Sequence, residues 1–145
     1  MTGLPAAVLF ACTMNSVRSP MAEGILKSLH GSRIYVDSVG CDELEVNGFA
    51  VQVMAEIDVD LSNHQAKTFA NLHDSSFDLV IALSTEARQL AEELTRAMAC
   101  EVEYWPTFDP ASIGGSRDAR LDGFRQVRDE LMDKIKEKFP PYESG

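Results

Sequence analysis

Ala6-Ala7-Val8-Leu9-Phe10-Ala11-Cys12-Thr13-Met14-Asn15-Ser16-Val17-Arg18-Ser19-Pro20 decides how this chain folds. Its first six residues are continuously apolar, the pattern of a central strand buried on both faces of a parallel sheet. Its end changes character. Ser19 suits a helix N-cap and Pro20 the first helical position. Met21, Ala22, Ile25, Leu26 and Leu29 then recur on one helical stripe, and His30-Gly31 closes it. A buried strand running straight into an amphipathic helix opens a βαβ unit. Cys12 and Arg18, with five residues between them, fall on the turn that joins the two.

The rest of the chain repeats that alternation. Further strands are expected at residues 34–37, at 77–83, and at 102–105, where alternation marks an edge strand. Asn47 caps a second helix with Ala50, Val53, Met54 and Ile57 inward. Ser84 or Thr85 starts a third with Ala87, Leu90, Ala91, Leu94 and Met98 inward. A last helix from about Asp118 carries Leu121, Phe124, Val127, Leu131 and Ile135. Four strand–helix units imply an α/β three-layer sandwich around a four-stranded parallel sheet with right-handed crossovers. In such sheets ligands sit at the carboxyl ends of the strands. The segments 12–19, 38–47, Ser84 and 106–113 all meet that edge. Residues 1–145 read as a single domain, with about 140–145 frayed behind Pro140-Pro141.

Composition narrows the function classes. With 23 acidic against 13 basic residues the net charge is −10, which argues against nucleic-acid or anionic-membrane binding. No run approaches the ~18 apolar residues of a membrane span. The N-terminus shows no basic segment before its apolar run, so a cytoplasmic setting is expected. Cys12, Cys41 and Cys100 do not make a disulfide framework, and a reducing compartment suits a free Cys12.

A loop at a helix N-terminus presents backbone N–H groups and the positive end of the helix dipole, and so holds a tetrahedral oxyanion. Arg18 adds a bidentate fork. The same field favours the thiolate form of Cys12. Ser16 and Ser19 can donate to the sulfur or the loop, and Asn15 tolerates left-handed backbone. The same residues also fit a buried structural cysteine followed by a capping serine. Cleaving a phosphomonoester further requires an acid for the leaving oxygen. Asp109, in Pro106-Thr107-Phe108-Asp109-Pro110 after the fourth strand, is the candidate; a turn-forming Asp-Pro is the plainer reading. No metal or cofactor is expected, since the loop and Arg18 supply the charge stabilisation and the histidines and cysteines lack zinc spacing. His30 and His73 read as surface residues.

Residues 11–23, Ala-Cys-Thr-Met-Asn-Ser-Val-Arg-Ser-Pro-Met-Ala-Glu, resemble the low-molecular-weight protein tyrosine phosphatase superfamily, which includes one class of arsenate reductases. Asp37-Ser38-Val39-Gly40, residues 60–67, Phe77-Asp78-Leu79-Val80 and Asp109-Pro110 resemble further segments of that family, in order, so the likeness covers nearly the whole chain. It implies a sheet order of 2-1-3-4. It implies Cys12 as nucleophile, Arg18 as phosphoryl binder and Asp109 as acid and then base. Thr13, Met14, Asn15, Ser16, Val17 and Arg18 would form the phosphate loop, with Asn15, Ser19, Ser38 and His64 holding it in shape.

The chain also departs from the family. Ala111 and Ser112 stand where many members carry two tyrosines, Met14 where many have glycine, and Val17 where many have a second loop cysteine. The loop after the second strand, Cys41-Asp42-Glu43-Leu44-Glu45-Val46, is acidic and lacks an aromatic ring. Thioredoxin-coupled arsenate reductases use thiols after the third strand, where this chain has Ser84. Cys41 is then the candidate resolving thiol.

The expected function is a metal-independent phosphomonoester hydrolase acting through phosphocysteine on a phosphorylated protein, small phosphomonoester or oxyanion. The alternatives are an arsenate reductase using an external thiol such as glutathione or glutaredoxin, and a non-catalytic phosphate- or phosphoprotein-binding module. Arg18 argues against a phosphocysteine carrier of sugar uptake. A monomer or weak dimer is expected.

Overall fold

A computed structural model describes residues 4–72, 77–96 and 100–140. Its elements are β1 (Ala7–Cys12), α1 (Arg18–His30), β2 (Tyr35–Gly40), α2 (Gly48–Ala55), β3 (Leu79–Ala82), α3 (Thr85–Leu94), β4 (Glu101–Tyr104) and α4 (Arg117–Lys138). The sheet order is β2-β1-β3-β4 with every pair parallel, as the sequence implies. β1 and β3 are buried at every position, which their unbroken apolar runs require, while β4 is the half-exposed edge.

Period-two geometry divides β1 between two cores. Val8, Phe10 and Cys12 point to one face, where they join Met21, Ile25 and Leu26 of α1 and Phe124, Leu131 and Ile135 of α4. Ala7, Leu9 and Ala11 point to the other, where they join Ala87 and Ala91 of α3. Cys12 is the last residue of the central strand, so its side chain arrives beneath the first turn of α1. The three-layer sandwich thereby fixes the position of the thiol.

The structure corrects several local expectations. α1 begins at Arg18, one residue before Ser19, and no side chain caps it. The Ser19 hydroxyl is spent on Cys12 instead, and Pro20 sits within the first turn, where a missing N–H is tolerated. Two caps form as read, Asn47 accepting from Phe49 N and Ser84 from Ala87 N; α4, expected from about Asp118, starts at Arg117 with Ser116 as its cap. Leu94, expected inward, is exposed at the end of α3. His30, expected at the surface, is buried, with Nε2 at 3.0 Å from the carbonyl oxygens of both Phe139 and Pro140. It ties the end of α1 to the end of α4. Met98, His73 and residues 141–145 lie outside the described residues. No helix among the described residues is long and apolar enough to cross a membrane.

Candidate active site

The turn between β1 and α1 wraps around the Cys12 sulfur. Asn15 has φ 55°, the left-handed conformation that its short polar side chain tolerates, and this turns its backbone N–H onto Sγ at 3.3 Å. Ser19 Oγ lies 2.9 Å from the same sulfur. The proton directions follow from one fixed donor. The backbone N–H of Lys67 reaches the Asn15 side chain at 3.0 Å, and an N–H can only donate, so that atom is Oδ1. Asn15 Nδ2 therefore donates to Ser19 Oγ at 2.8 Å and to Ser38 Oγ at 3.0 Å. With its oxygen already accepting, the Ser19 hydroxyl has one proton for two acceptors, the Cys12 sulfur at 2.9 Å and the Val39 carbonyl at 3.3 Å. Cys12 is 2% exposed, with the Asn15 N–H and the Ser19 hydroxyl both within hydrogen-bond distance of its sulfur.

A second layer stands behind Asn15. Ser38 Oγ donates to Glu23 Oε1 at 2.5 Å, and Lys27 Nζ donates to Glu23 Oε2 at 2.6 Å. His64 Nε2 lies 3.1 Å from Asn15 Oδ1, an acceptor, so it carries the proton there. Burial holds the His64 imidazole below the ordinary histidine range, and the nearby Glu23 carboxylate offsets this only in part. A neutral ring protonated on Nε2 satisfies both facts. Lys67 pairs with Asp37 at 2.7 Å. A cleft of about 640 Å³ opens outside this layer, lined by Glu23, Asp37, His64 and Lys67, so the layer is reached from solvent without passing the sulfur.

The mouth is a smaller cavity of about 80 Å³, lined among others by Cys12, Ser16, Val17, Arg18 and Asp109. Arg18 donates from Nη1 to the Thr107 carbonyl at 3.0 Å and from Nη2 to Thr13 Oγ1 at 3.4 Å. The Thr13 hydroxyl in turn faces Ser84 Oγ at 3.1 Å and Glu86 Oε1 at 3.2 Å. Asp109 Oδ1 accepts from Ala111 N at 3.0 Å and caps the short 3₁₀ turn Pro110–Ser112. The turn-forming reading of Asp-Pro is thus observed, and the second oxygen, Oδ2, stands 4.0 Å from Arg18 Nη2. Because no side chain caps α1, its first-turn N–H groups are left to face the loop.

A third segment seals the loop from the β2 side. Cys41 N donates to Cys12 O at 3.1 Å, Asp42 N to Thr13 O at 2.9 Å, Leu44 N to Met14 O at 3.1 Å and Asn47 N to Ser16 O at 3.0 Å. Ser16 Oγ donates to Glu45 O, not to the sulfur. Gly40 makes this clip possible. A Cβ there would stand 2.6 Å from Asn15 N and 2.7 Å from Met14 C, both backbone atoms that cannot rotate away. Gly40→Ala is therefore expected to displace the loop. A loss of activity on the order of a hundredfold, with the thermal transition and far-UV circular dichroism largely kept, is the outcome to look for.

All of Cys12, Thr13, Met14, Asn15, Ser16, Val17, Arg18, Ser19, Ser38, His64 and Asp109 are thus gathered at one sheet edge or directly behind it. Cys41 and Cys100 do not line the cavity that opens on Cys12. Cys41 follows Gly40, the register partner of Cys12, and packs against the core on the α3 face, opposite the Cys12 face. Burial pushes the Cys41 thiol up, with Glu86, Cys12 and Asp42 adding to the rise. Cys100 stands beside β4 and is likewise raised by burial. Glu23, Lys67 and Thr107 have no assigned role in the sequence reading. Only Glu23 leaves a signal there, an acid inside the apolar stripe of α1; Lys67 and Thr107 act largely through backbone atoms. Among the described residues no three His, Cys, Asp or Glu side chains are grouped to hold a metal ion.

The family model for low molecular weight phosphotyrosine protein phosphatase matches residues 7–140. The chain belongs to this family. Among its curated relatives, arsenate reductase 2 of Staphylococcus saprophyticus is 35% identical over 130 residues, covering 90% of this chain and 93% of the relative. A solved arsenate reductase in its phosphate-binding state superposes with a TM-score of 0.75 at 29% identity, over 92% of this chain and 95% of the other. A low molecular weight protein tyrosine phosphatase from T. tengcongensis gives a TM-score of 0.75 at 25% identity, over 91% and 98%. The family thus comprises cysteine-based enzymes, phosphatases and arsenate reductases among them.

Proposed function

We propose that this protein is a metal-independent phosphomonoesterase that forms a phosphocysteine at Cys12. One observation carries the choice within the family: a single thiol stands at the site, and the chain's two other cysteines face elsewhere. Ester hydrolysis needs one thiol. Arsenate reduction needs two electrons, hence a second thiol, which would have to come from outside this chain.

The Cys12 sulfur attacks phosphorus while the bond to the leaving oxygen breaks, and the proton on Asp109 passes to that oxygen. Arg18 and the loop N–H groups hold the non-bridging oxygens as charge spreads over them. Water then attacks the phosphocysteine, Asp109 takes its proton, the S–P bond breaks and phosphate leaves. Asp109→Asn is expected to slow hydrolysis about 10²- to 10⁴-fold for alkyl-like leaving groups and far less for nitrophenol-like ones, which depart without a proton. A series of esters graded by leaving-group pKa measures this. Equal losses across the series would reassign the acid.

A second reading is arsenate reduction with an external thiol, and the names of the curated relatives favour it over ester hydrolysis. Cys12 would displace hydroxide from arsenate, with Asp109 giving the proton that makes it water. An external thiolate would then attack Cys12 Sγ. The S–As electron pair would stay on arsenic as arsenite, leaving a mixed disulfide at Cys12 for a second external thiol to clear. Parallel assays on one preparation separate the two: phosphate released from an aryl phosphate, and thiol oxidised in the presence of arsenate and glutathione. Hydrolysis without arsenate-dependent thiol oxidation is the expected result, and the reverse pattern would replace the first reading with the second.

A further inference from the structure

Five large apolar side chains are exposed among the described residues; two of them line the Cys12 cavity, Met14 at 41% and Leu44 at 59%, and a third, Phe108 at 57%, lines the cleft beside it. Scattered exposed apolar residues are ordinary, but convergence at one mouth is not. The three come from separate segments. Met14 and Leu44 line the cavity, joined by the backbone bond from Leu44 N to Met14 O. Phe108 precedes Asp109 and lines the adjoining cleft with Arg18. The clipped segment that delivers Leu44 also carries Asp42, Glu43 and Glu45, all exposed. Arg18 is the only cation among the residues lining the cavity, and its side chain is 11% exposed.

These features define the leaving group, not the phosphoryl group. A free oxyanion or a small anionic ester gains nothing from the apolar collar and is repelled by the carboxylates that flank Leu44 in the chain. A phosphoryl group carried on a protein side chain, with lysine or arginine at neighbouring positions, meets both. We propose that the collar of Met14, Leu44 and Phe108, with the carboxylates of Asp42, Glu43 and Glu45, selects phosphorylated side chains set in basic protein segments. The proposal rests on the phosphomonoesterase reading and names its substrate class.

The test compares phosphotyrosine peptides of one length that differ only in flanking residues, lysine and arginine in one set and glutamate and aspartate in the other. For the wild-type protein, kcat/KM is expected to be about tenfold higher on the basic set. Raising the salt should lower the rate on basic peptides and raise it on acidic ones. A Glu43→Lys, Glu45→Lys double variant should bring the basic-to-acidic ratio to about one. The salt series on wild-type protein stands even if that variant fails to fold. A ratio of one or below in wild-type protein, unmoved by salt, would overturn the proposal while wild-type hydrolysis of a small aryl phosphate, lost in Cys12→Ser, upholds the phosphatase reading. No hydrolysis of any ester by wild-type protein would overturn that reading and the proposal with it.

Discussion

Cys12→Ser is expected to cut the turnover of a small aryl phosphate by at least about a thousandfold. The substitution changes one atom, so the loop has little reason to move. Ser19 and the Asn15 N–H would still face the new hydroxyl. What is lost is the nucleophile's chemistry. A sulfur nucleophile is intrinsically far stronger than an alcohol held in the same loop. Asp109 lines the same cavity beside Arg18, and the proposed mechanism assigns it to the leaving group, not to activating position 12. The steady-state rate, with circular dichroism and bound phosphate as controls for folding, measures the effect. Turnover within tenfold of wild type would remove Cys12 as nucleophile.

Arg18→Lys should also be severe, with kcat reduced on the order of 10²- to 10³-fold although charge is conserved. Two of the guanidinium's five donors are anchored, one on the Thr107 carbonyl and one on Thr13 Oγ1. The anchors fix the plane, and the remaining donors keep their direction towards the cavity at no cost in ordering during the reaction. An ammonium cannot reach both anchors and also fork onto two phosphoryl oxygens. Since the charge on those oxygens is redistributed most in the transition state, the loss should fall mainly on kcat, with a smaller rise in the inhibition constant for phosphate. A variant that weakens phosphate binding but keeps kcat would make Arg18 a docking group only.

Most of the architecture was legible because β1 and β3 are unbroken apolar runs and the helical stripes of α1 and α4 fall where the core needs them. The loop chemistry was legible because Cys12, Arg18 and Ser19 sit where a strand must turn into a helix. Ser19 shows where such reading fails. As a residue type it is a good N-cap, and local preference places it there, but the sulfur takes its hydroxyl and the helix starts earlier. His30 was misplaced for a similar reason: its partners are carbonyls more than a hundred positions away at the end of α4, a contact that no local pattern announces. Cys41 was placed correctly on the edge of the sheet beside β1, where its N–H donates to Cys12 O; the direction of its side chain was not legible. Adjacent strands bring Gly40 beside Cys12, and one residue further along, the pleat sends the Cys41 side chain to the opposite face. The apolar collar was invisible until the 41–47 segment was seen hydrogen-bonded along the loop.

The most direct test of the account is to trap the covalent intermediate. Asp109→Asn enzyme, mixed with a nitrophenyl phosphate and quenched in acid within the first turnover, should carry a phosphoryl group on the peptide that contains Cys12. Release of nitrophenol should then precede release of phosphate. Burst release with no adduct at Cys12, or an adduct on another residue, would contradict it.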